Sequence, residues 1–181
     1  MAGNLLVLVG ESAMFYDVKY PDGRTGFVTR ADAQPYDQWK AKAAPTESNL
    51  VGTARRLMGI PYLWGGTSVK GMDCSGFTKT VYFLNGQTLA RDASQQVNQG
   101  TLVPTPNNDF SQLRPGDLLF FGTPATAEKS ERVVHVGMWL GNNEFIHASG
   151  HIRVASLDPK ATNFNEFELK RFLQAKRMST F

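Results

Sequence analysis

Little in the chain advertises chemistry. One cysteine and three histidines stand among 181 residues. A single cysteine excludes an internal disulfide framework and leaves a lone thiol that is inert, metal-bound or reactive, so compartment is not set by cysteine usage. No apolar run approaches the roughly 18 residues that span a bilayer. The early run Leu5–Val9 has no basic residue before it and leads into Gly10-Glu11, so it reads as a strand rather than a signal-peptide core. Work outside the cytoplasm would imply a leader already removed. Lysine and arginine form no block, and a net charge of +3 gives only weak attraction to anionic polymers, so no nucleic-acid partner is expected. With 41% hydrophobic and 19% charged residues, disorder and coiled coil are both poor descriptions.

What is present is turn chemistry. Seventeen glycines and nine prolines point to many turns and much sheet. Residues 1–37 read as short strands, with Pro21-Asp22-Gly23-Arg24 as a tight turn between Ala13–Tyr20 and Gly26–Arg30, a pattern that suits a small β-barrel or part of one. Residues 38–46 turn to lysine, alanine and proline without apolar periodicity and read as a linker. A domain over 47–181 follows. Thr46 or Ser48 caps an expected helix to Met58, with Leu50, Val51, Ala54, Leu57 and Met58 on one face and Gly59 as its stop. Ile60–Asp73 reads as loop, Cys74–Leu84 as a helix ended by Asn85-Gly86, and Asp92 as the cap of a short third helix. Leu113–Gly122, Arg132–Gly141, Asn143–Ser149 and Ile152–Leu157 read as strands, while Phe164–Met178 is left between strand and helix. Helices first and strands after make an α+β domain with an antiparallel sheet.

Cys74 lies at the start of its helix, where free N–H groups and the macrodipole favour a thiolate, so its pKa is expected to fall. A three-residue loop at 141–143 would pair Leu140 with Glu144 and set His147 one diagonal step from His135 on the same face; a two-residue loop would send them to opposite faces. A cysteine facing two such histidines is the constellation of a thiol hydrolase. Spacing alone leaves a structural cysteine and structural histidines standing beside that reading. Zinc on the same residues is disfavoured, because the paired C-x-x-C or H-x-x-x-H spacings are missing. His151 reads as a surface residue.

The ordered motifs PYLWGG (Pro61–Gly66), DCSGF (Asp73–Phe77), RDASQQ (Arg91–Gln96), RPGDLLFF (Arg114–Phe121), HVGMWLG (His135–Gly141) and FIHAS (Phe145–Ser149) resemble the NlpC/p60 cysteine peptidases of bacterial cell walls over roughly residues 47–155. The first 36 or so residues resemble a bacterial SH3-type module, whole or partial. The resemblance implies a papain-like fold with Cys74 as nucleophile, His135 as general base, His147 as the residue that orients it and Tyr62 as an oxyanion donor. It implies a muropeptide substrate cut between γ-D-glutamate and a diamino acid, meso-diaminopimelate or lysine, with no metal and no cofactor. The DCS and RDASQQ motifs look closest to the branch that reads a free N-terminal L-alanine, so Asp73 is expected to bind that amine, with Ser75, Trp64, Ser94 and Arg91 lining the pocket. That branch commonly carries two SH3-type modules and this chain has room for barely one, so a second chain or another module is expected to complete the pocket, with Tyr16 and Tyr20 as surviving contacts. The resemblance places the protein in the bacterial envelope or periplasm, or in cytoplasmic muropeptide recycling. An amidase cutting the sugar-to-L-alanine bond, a related acyltransferase and a non-catalytic wall-binding protein are the rivals.

Overall fold

The Pro21–Arg24 turn is present in the computed structural model, which describes residues 3–178. The Tyr20 N–H donates to the Arg24 carbonyl at 2.8 Å, and the Gly23 N–H donates back to the Tyr20 carbonyl at 3.0 Å. The turn joins β2 (Phe15–Lys19) to β3 (Thr25–Thr29), and β1 (Val7–Glu11) pairs with the other side of β2. The result is a three-stranded antiparallel sheet in the order β1-β2-β3. Alternation along β2 buries Tyr16 and Val18. Helix α1 (Tyr36–Lys42) occupies ground that composition had suggested as linker. It buries none of its residues, and the Tyr36 and Trp39 rings meet one turn apart at a tilt of 46°, with centroids 5.4 Å from each other. Apolar periodicity, whose lack suggested a linker, is not what shapes this helix. The chain divides after Ala43, and the residues from Ala44 onward form a second unit.

That unit opens with α2 (Glu47–Arg56), where the Thr46 hydroxyl accepts the Asn49 N–H and the apolar stripe buries Leu50 and Ala54. The next elements are a two-residue hairpin, β4 (Thr67–Ser68) and β5 (Gly71–Met72), then α3 (Cys74–Leu84) and α4 (Ala93–Gln96). Asp92 opens α4 with a reciprocal capping box to Gln95. The strands are β6 (Thr101–Val103), β7 (Leu118–Thr123), β8 (Arg132–Gly141), β9 (Glu144–Ser149), β10 (His151–Ser156) and β11 (Phe172–Arg177), with α5 (Glu166–Lys170) before the last. They form an antiparallel sheet in the order β10-β9-β8-β7-β11-β6. The segment 164–178 thus holds a helix and a strand, and β6 had no counterpart in the sequence reading.

Alternation gives the sheet two buried faces. Leu118, Phe120, Val136, Met138 and Ile146 meet Leu50, Ala54, Phe77 and Val81 of the helices. Leu119, Phe121, Trp139, Phe145 and Ala175 form a second cluster on the opposite face. Each large side chain so buried contributes about 1.5–3 kcal/mol against exposure, enough for the helices to hold their positions on the sheet.

The β8–β9 turn decides where the histidines fall. Only Asn142 and Asn143 lie between Gly141 and Glu144, which pair, and both asparagines take positive φ, 52° and 60°. This is the tight turn that asparagine tolerates. Taken alone, a two-residue loop would put His135 and His147 on opposite faces. A bulge at Leu140 adds the missing residue, so that Trp139 pairs with Phe145 and Met138 with Ile146. The expected register is reached through a bulge rather than a three-residue loop. Both histidines lie on the side of Phe121 and Phe145.

Candidate active site

Helix α3 starts where it does because Asp73 stops the extended backbone and caps it. Its Oδ1 accepts the Gly76 N–H at 2.6 Å. Glycine is needed at 76 for contact, since a Cβ there would collide with the Gly66 carbonyl. The loop before the helix is laced to β10 and to itself. Tyr62 N–H donates to the Gly150 carbonyl at 2.8 Å, Met72 N–H to Pro61 at 3.1 Å and Asp73 N–H to Gly66 at 3.1 Å. These bonds hold Tyr62 beside the first turn of α3.

Asp73 is crowded with donors. Besides Gly76, its carboxylate accepts the Gly65 N–H at 3.0 Å, the Ser75 hydroxyl at 3.3 Å and two Arg91 N–H groups at 3.0 and 2.6 Å. Arg91 also donates to the Ser75 hydroxyl at 3.1 Å. Burial pushes the Asp73 carboxyl up, but the Arg91 guanidinium and the Gly76 and Gly65 amides outweigh it and hold the group below its usual value. Three expected pocket residues, Asp73, Ser75 and Arg91, are therefore one hydrogen-bonded cluster.

Cys74 is buried, and the backbone N–H of Val136, the residue after His135, is among the groups that favour its thiolate. The β8–β9 pairs end at Met138–Ile146, so the helix tip meets β8 beyond the end of that ladder. The expected fall in thiol pKa is not what the environment produces. Burial pushes the Cys74 thiol up and the Asp73 charge adds to this, while the N–H groups of Val136, Ser75 and Cys74 itself oppose them. The helix terminus favours an anion as argued from sequence, but Asp73 already occupies it.

His135 Nε2 and His147 Nδ1 stand 2.8 Å apart, a hydrogen bond with one proton between two rings. Burial pushes both imidazoles well below their ordinary value; Arg171 adds to this at His135, and His135, Arg153, Arg171 and His151 add to it at His147. Both rings are therefore neutral at rest. Because Nε2 of His135 faces His147, Nδ1 is the nitrogen left to exchange a proton with another group. His147 Nε2 is buried without a hydrogen-bond partner among the described residues. His151 is exposed, as expected of it.

Tyr62 is partly exposed. Burial raises its phenol, and the Cys74 and Asp73 charges add to that, which sets the ring within electrostatic reach of both. Two other expected pocket residues are not drawn into this group. Trp64 is 86% exposed on the loop, and Ser94 is exposed in α4, where its carbonyl accepts the Asn98 side-chain amide at 3.0 Å. In the first unit, Tyr16 is buried with its hydroxyl 3.3 Å from an Arg30 N–H donor. Tyr20 is partly exposed beside Gly26.

Sequence reasoning missed three residues. Gln96, fully buried, donates to the carbonyls of Ser75 at 3.1 Å and Ala90 at 3.0 Å and accepts the Thr78 hydroxyl at 2.8 Å, pinning α4 to α3. Its signal was the last position of RDASQQ. Glu168 of α5 is buried with Oε1 3.8 Å from His135 Nε2, and Arg171 donates to it through Nε at 2.9 Å and a terminal nitrogen at 3.1 Å. No motif marked either of those two.

Among the described residues, His135, His147 and Glu168 bring their donor atoms within 4.8 Å of one another, as a metal site would need. The imidazole nitrogens are hydrogen-bonded to each other and the carboxylate is taken up by Arg171, so the donors face one another rather than a common centre. Two surface hollows of about 450 and 360 Å³ lie elsewhere, beside Phe110 and Trp139 and beside Arg153 and Asn163. No described helix is long and apolar enough to cross a membrane.

Comparison with known proteins gives a family match over residues 59–171, to the NlpC/P60 family. The chain is 34% identical over 157 residues to a gamma-D-glutamyl-L-lysine dipeptidyl-peptidase of Bacillus cereus, covering 87% of this chain and 45% of that protein. It is 39% identical over 124 residues to the probable endopeptidase NlpC of Escherichia coli, covering 66% of this chain and 70% of that one. A crystal structure of an NlpC/P60 family protein from Bacillus cereus superposes with a TM-score of 0.76 at 30% identity, over 96% of this chain and 53% of that one. The chain spans about half the length of the first curated relatives it matches.

Proposed function

The chain belongs to the NlpC/P60 family, and from that premise we propose that it is a cysteine endopeptidase of bacterial cell-wall peptides, cutting the bond from the γ-carboxyl of D-glutamate to a diamino acid, lysine or meso-diaminopimelate. The observation that carries the chemistry is the His135–His147 hydrogen bond of 2.8 Å, on the strands β8 and β9 that pack against the helix Cys74 begins. The names of the Bacillus relatives support the choice of bond. The amine-reading role of Asp73 extends from the same reading, with Arg91 as the charge it already holds.

In this mechanism the Cys74 sulfur attacks the γ-carbonyl carbon as its proton passes to Nδ1 of His135. His147 accepts from Nε2–H and keeps that ring in the tautomer whose free nitrogen is Nδ1. The N–H of Cys74, at a helix start with no intrahelical acceptor, and the Tyr62 hydroxyl stabilise the oxyanion. Collapse expels the amine, which takes the proton from His135. Water, deprotonated by His135, then hydrolyses the thioester and releases the γ-glutamyl product. The resting pair is a neutral thiol and a neutral imidazole, so His135 acts as a true general base rather than as half of a preformed ion pair. The three-stranded sheet of the first unit is proposed as a partial SH3-like module, with the envelope as the place of work.

The test separates the bond from its neighbour. Incubation with a free L-Ala-γ-D-Glu-L-Lys tripeptide and with intact glycan strands should release lysine from the first. Release of whole stem peptides from the second, with the tripeptide untouched, would identify an amidase instead.

A further inference from the structure

We infer that Glu168 is a positioning residue that stabilises the protonated state of His135, an inference that rests on the peptidase reading above. Its Oε1 lies 3.8 Å from His135 Nε2, and the side chain is almost fully buried. An Arg–Glu pair three residues apart, as Glu168 and Arg171 are, forms as readily at a surface, where it needs no burial of charge. Burying it costs desolvation, and burial does push the Glu168 carboxyl up against the pull of Arg171. A buried carboxylate beside a neutral imidazole gains little; beside an imidazolium it gains a great deal.

The charges around the two rings give the carboxylate a task. Arg171, from the residue after α5, disfavours a proton on His135, and Arg153 and His151 of β10 join it in disfavouring one on His147. Phe121 of β7 and Phe145 of β9 supply apolar ring contacts, and Cys74 of α3 supplies the proton to be moved. When that proton reaches Nδ1 of His135, a positive charge appears in a site bordered by two guanidinium groups, and Glu168 offsets it from the Nε2 side. The carboxylate takes no proton: the proton arrives from sulfur and leaves on the amine of the departing diamino acid.

The test is the alkylation of Cys74 by iodoacetamide as a function of pH in Glu168→Gln and Glu168→Asp, which needs no peptide substrate. Glutamine keeps the size and an oxygen for Arg171 and removes the charge. At neutral pH, where His135 takes the thiol proton as the sulfur attacks the reagent, Glu168→Gln should slow alkylation about tenfold, the equivalent of about one pKa unit in the imidazole. In alkaline solution, where thiolate forms without His135, its rate should match the wild type. Glu168→Asp, which keeps the charge but withdraws it by one methylene, should fall between the two and serves alone where the glutamine variant does not fold. In peptide assays kcat should fall with KM unchanged. Neutral-to-alkaline rate ratios equal to the wild type in a folded variant would overturn the inference and leave Glu168 as an anchor for Arg171. A wild type alkylated at Cys74 that leaves the tripeptide intact would overturn the peptidase reading while still deciding the role of Glu168.

Discussion

Gly137 stands across from His147 at the end of the β8–β9 ladder, so near that a Cβ on it would come 3.3 Å from the His147 Cβ and 2.8 Å from Phe145 Cδ2. The absence of a side chain at 137 is what lets His147 come within 2.8 Å of His135. Gly137→Ala should overpack this seam, at a cost of about 1–3 kcal/mol, and turn His147 away from Nε2 of His135. Urea unfolding and peptide cleavage together check this. Full activity with wild-type stability would mean that the seam relaxes freely.

Acid should destabilise the fold through the same pair. Both imidazoles have folded pKa values below the unfolded value of 6.5, pushed down by burial to about 3. The stability held in their neutral forms is therefore complete above pH 6.5 and lost as pH falls toward about 3. Each ring contributes a slope of about 1.4 kcal/mol per pH unit within that window. Asp73, held below its usual value, adds loss in the same direction at lower pH. Urea titrations at neutral and mildly acid pH measure the slope, and His147→Gln should flatten it.

Asp73→Asn separates capping from charge. Asparagine caps helices as well as aspartate does, so α3 should stay intact, while the ion pair to Arg91 at 2.6 Å is lost. KM for a peptide with a free N-terminal amine should rise about tenfold, equivalent to about 1.4 kcal/mol, with little change for its N-acetylated copy. Equal effects on both peptides would assign Asp73 to structure alone.

Gln96→Leu should show how much the α3–α4 contact depends on one amide. It removes a partner from the Ser75 and Ala90 carbonyls and from the Thr78 hydroxyl, while Thr78 keeps its bond to the Ser75 carbonyl at 3.1 Å. Losing a partner at a buried or half-buried polar group costs up to about 1–3 kcal/mol. Thermal unfolding should show a clear loss of stability, and the rate of Cys74 alkylation should change because Ser75 shifts.

Local signals carried much of the second unit. The helix from Cys74 to Leu84 begins and ends at the residues that the Asp73 cap and the Asn85-Gly86 stop suggested. The strand from Arg132 to Gly141 spans its expected range. Tertiary effects lay out of reach. The bulge at Leu140 repairs a register that loop length alone misassigns, and nothing in Trp139-Leu140-Gly141 announces it. Helix α1 was invisible because a tilted contact of Tyr36 with Trp39 is not apolar periodicity. The direction of the Cys74 shift came out opposite to expectation because the helix dipole could be read from position, whereas burial and the neighbouring Asp73 charge could not be weighed against it. Glu168 read as an ordinary acid in a short helix, with Asn165 as its cap, and only packing set it beside His135.

On the proposed mechanism, cleavage of the γ-glutamyl bond depends on Cys74. Mass spectrometry of products from L-Ala-γ-D-Glu-meso-diaminopimelate and its lysine analogue, for the wild type and for Cys74→Ala, decides this. The expected result is release of L-Ala-γ-D-Glu and the free diamino acid by the wild type, with none from Cys74→Ala. Cleavage that survives in Cys74→Ala, or intact tripeptides beside a wild-type Cys74 that alkylates normally, would contradict it.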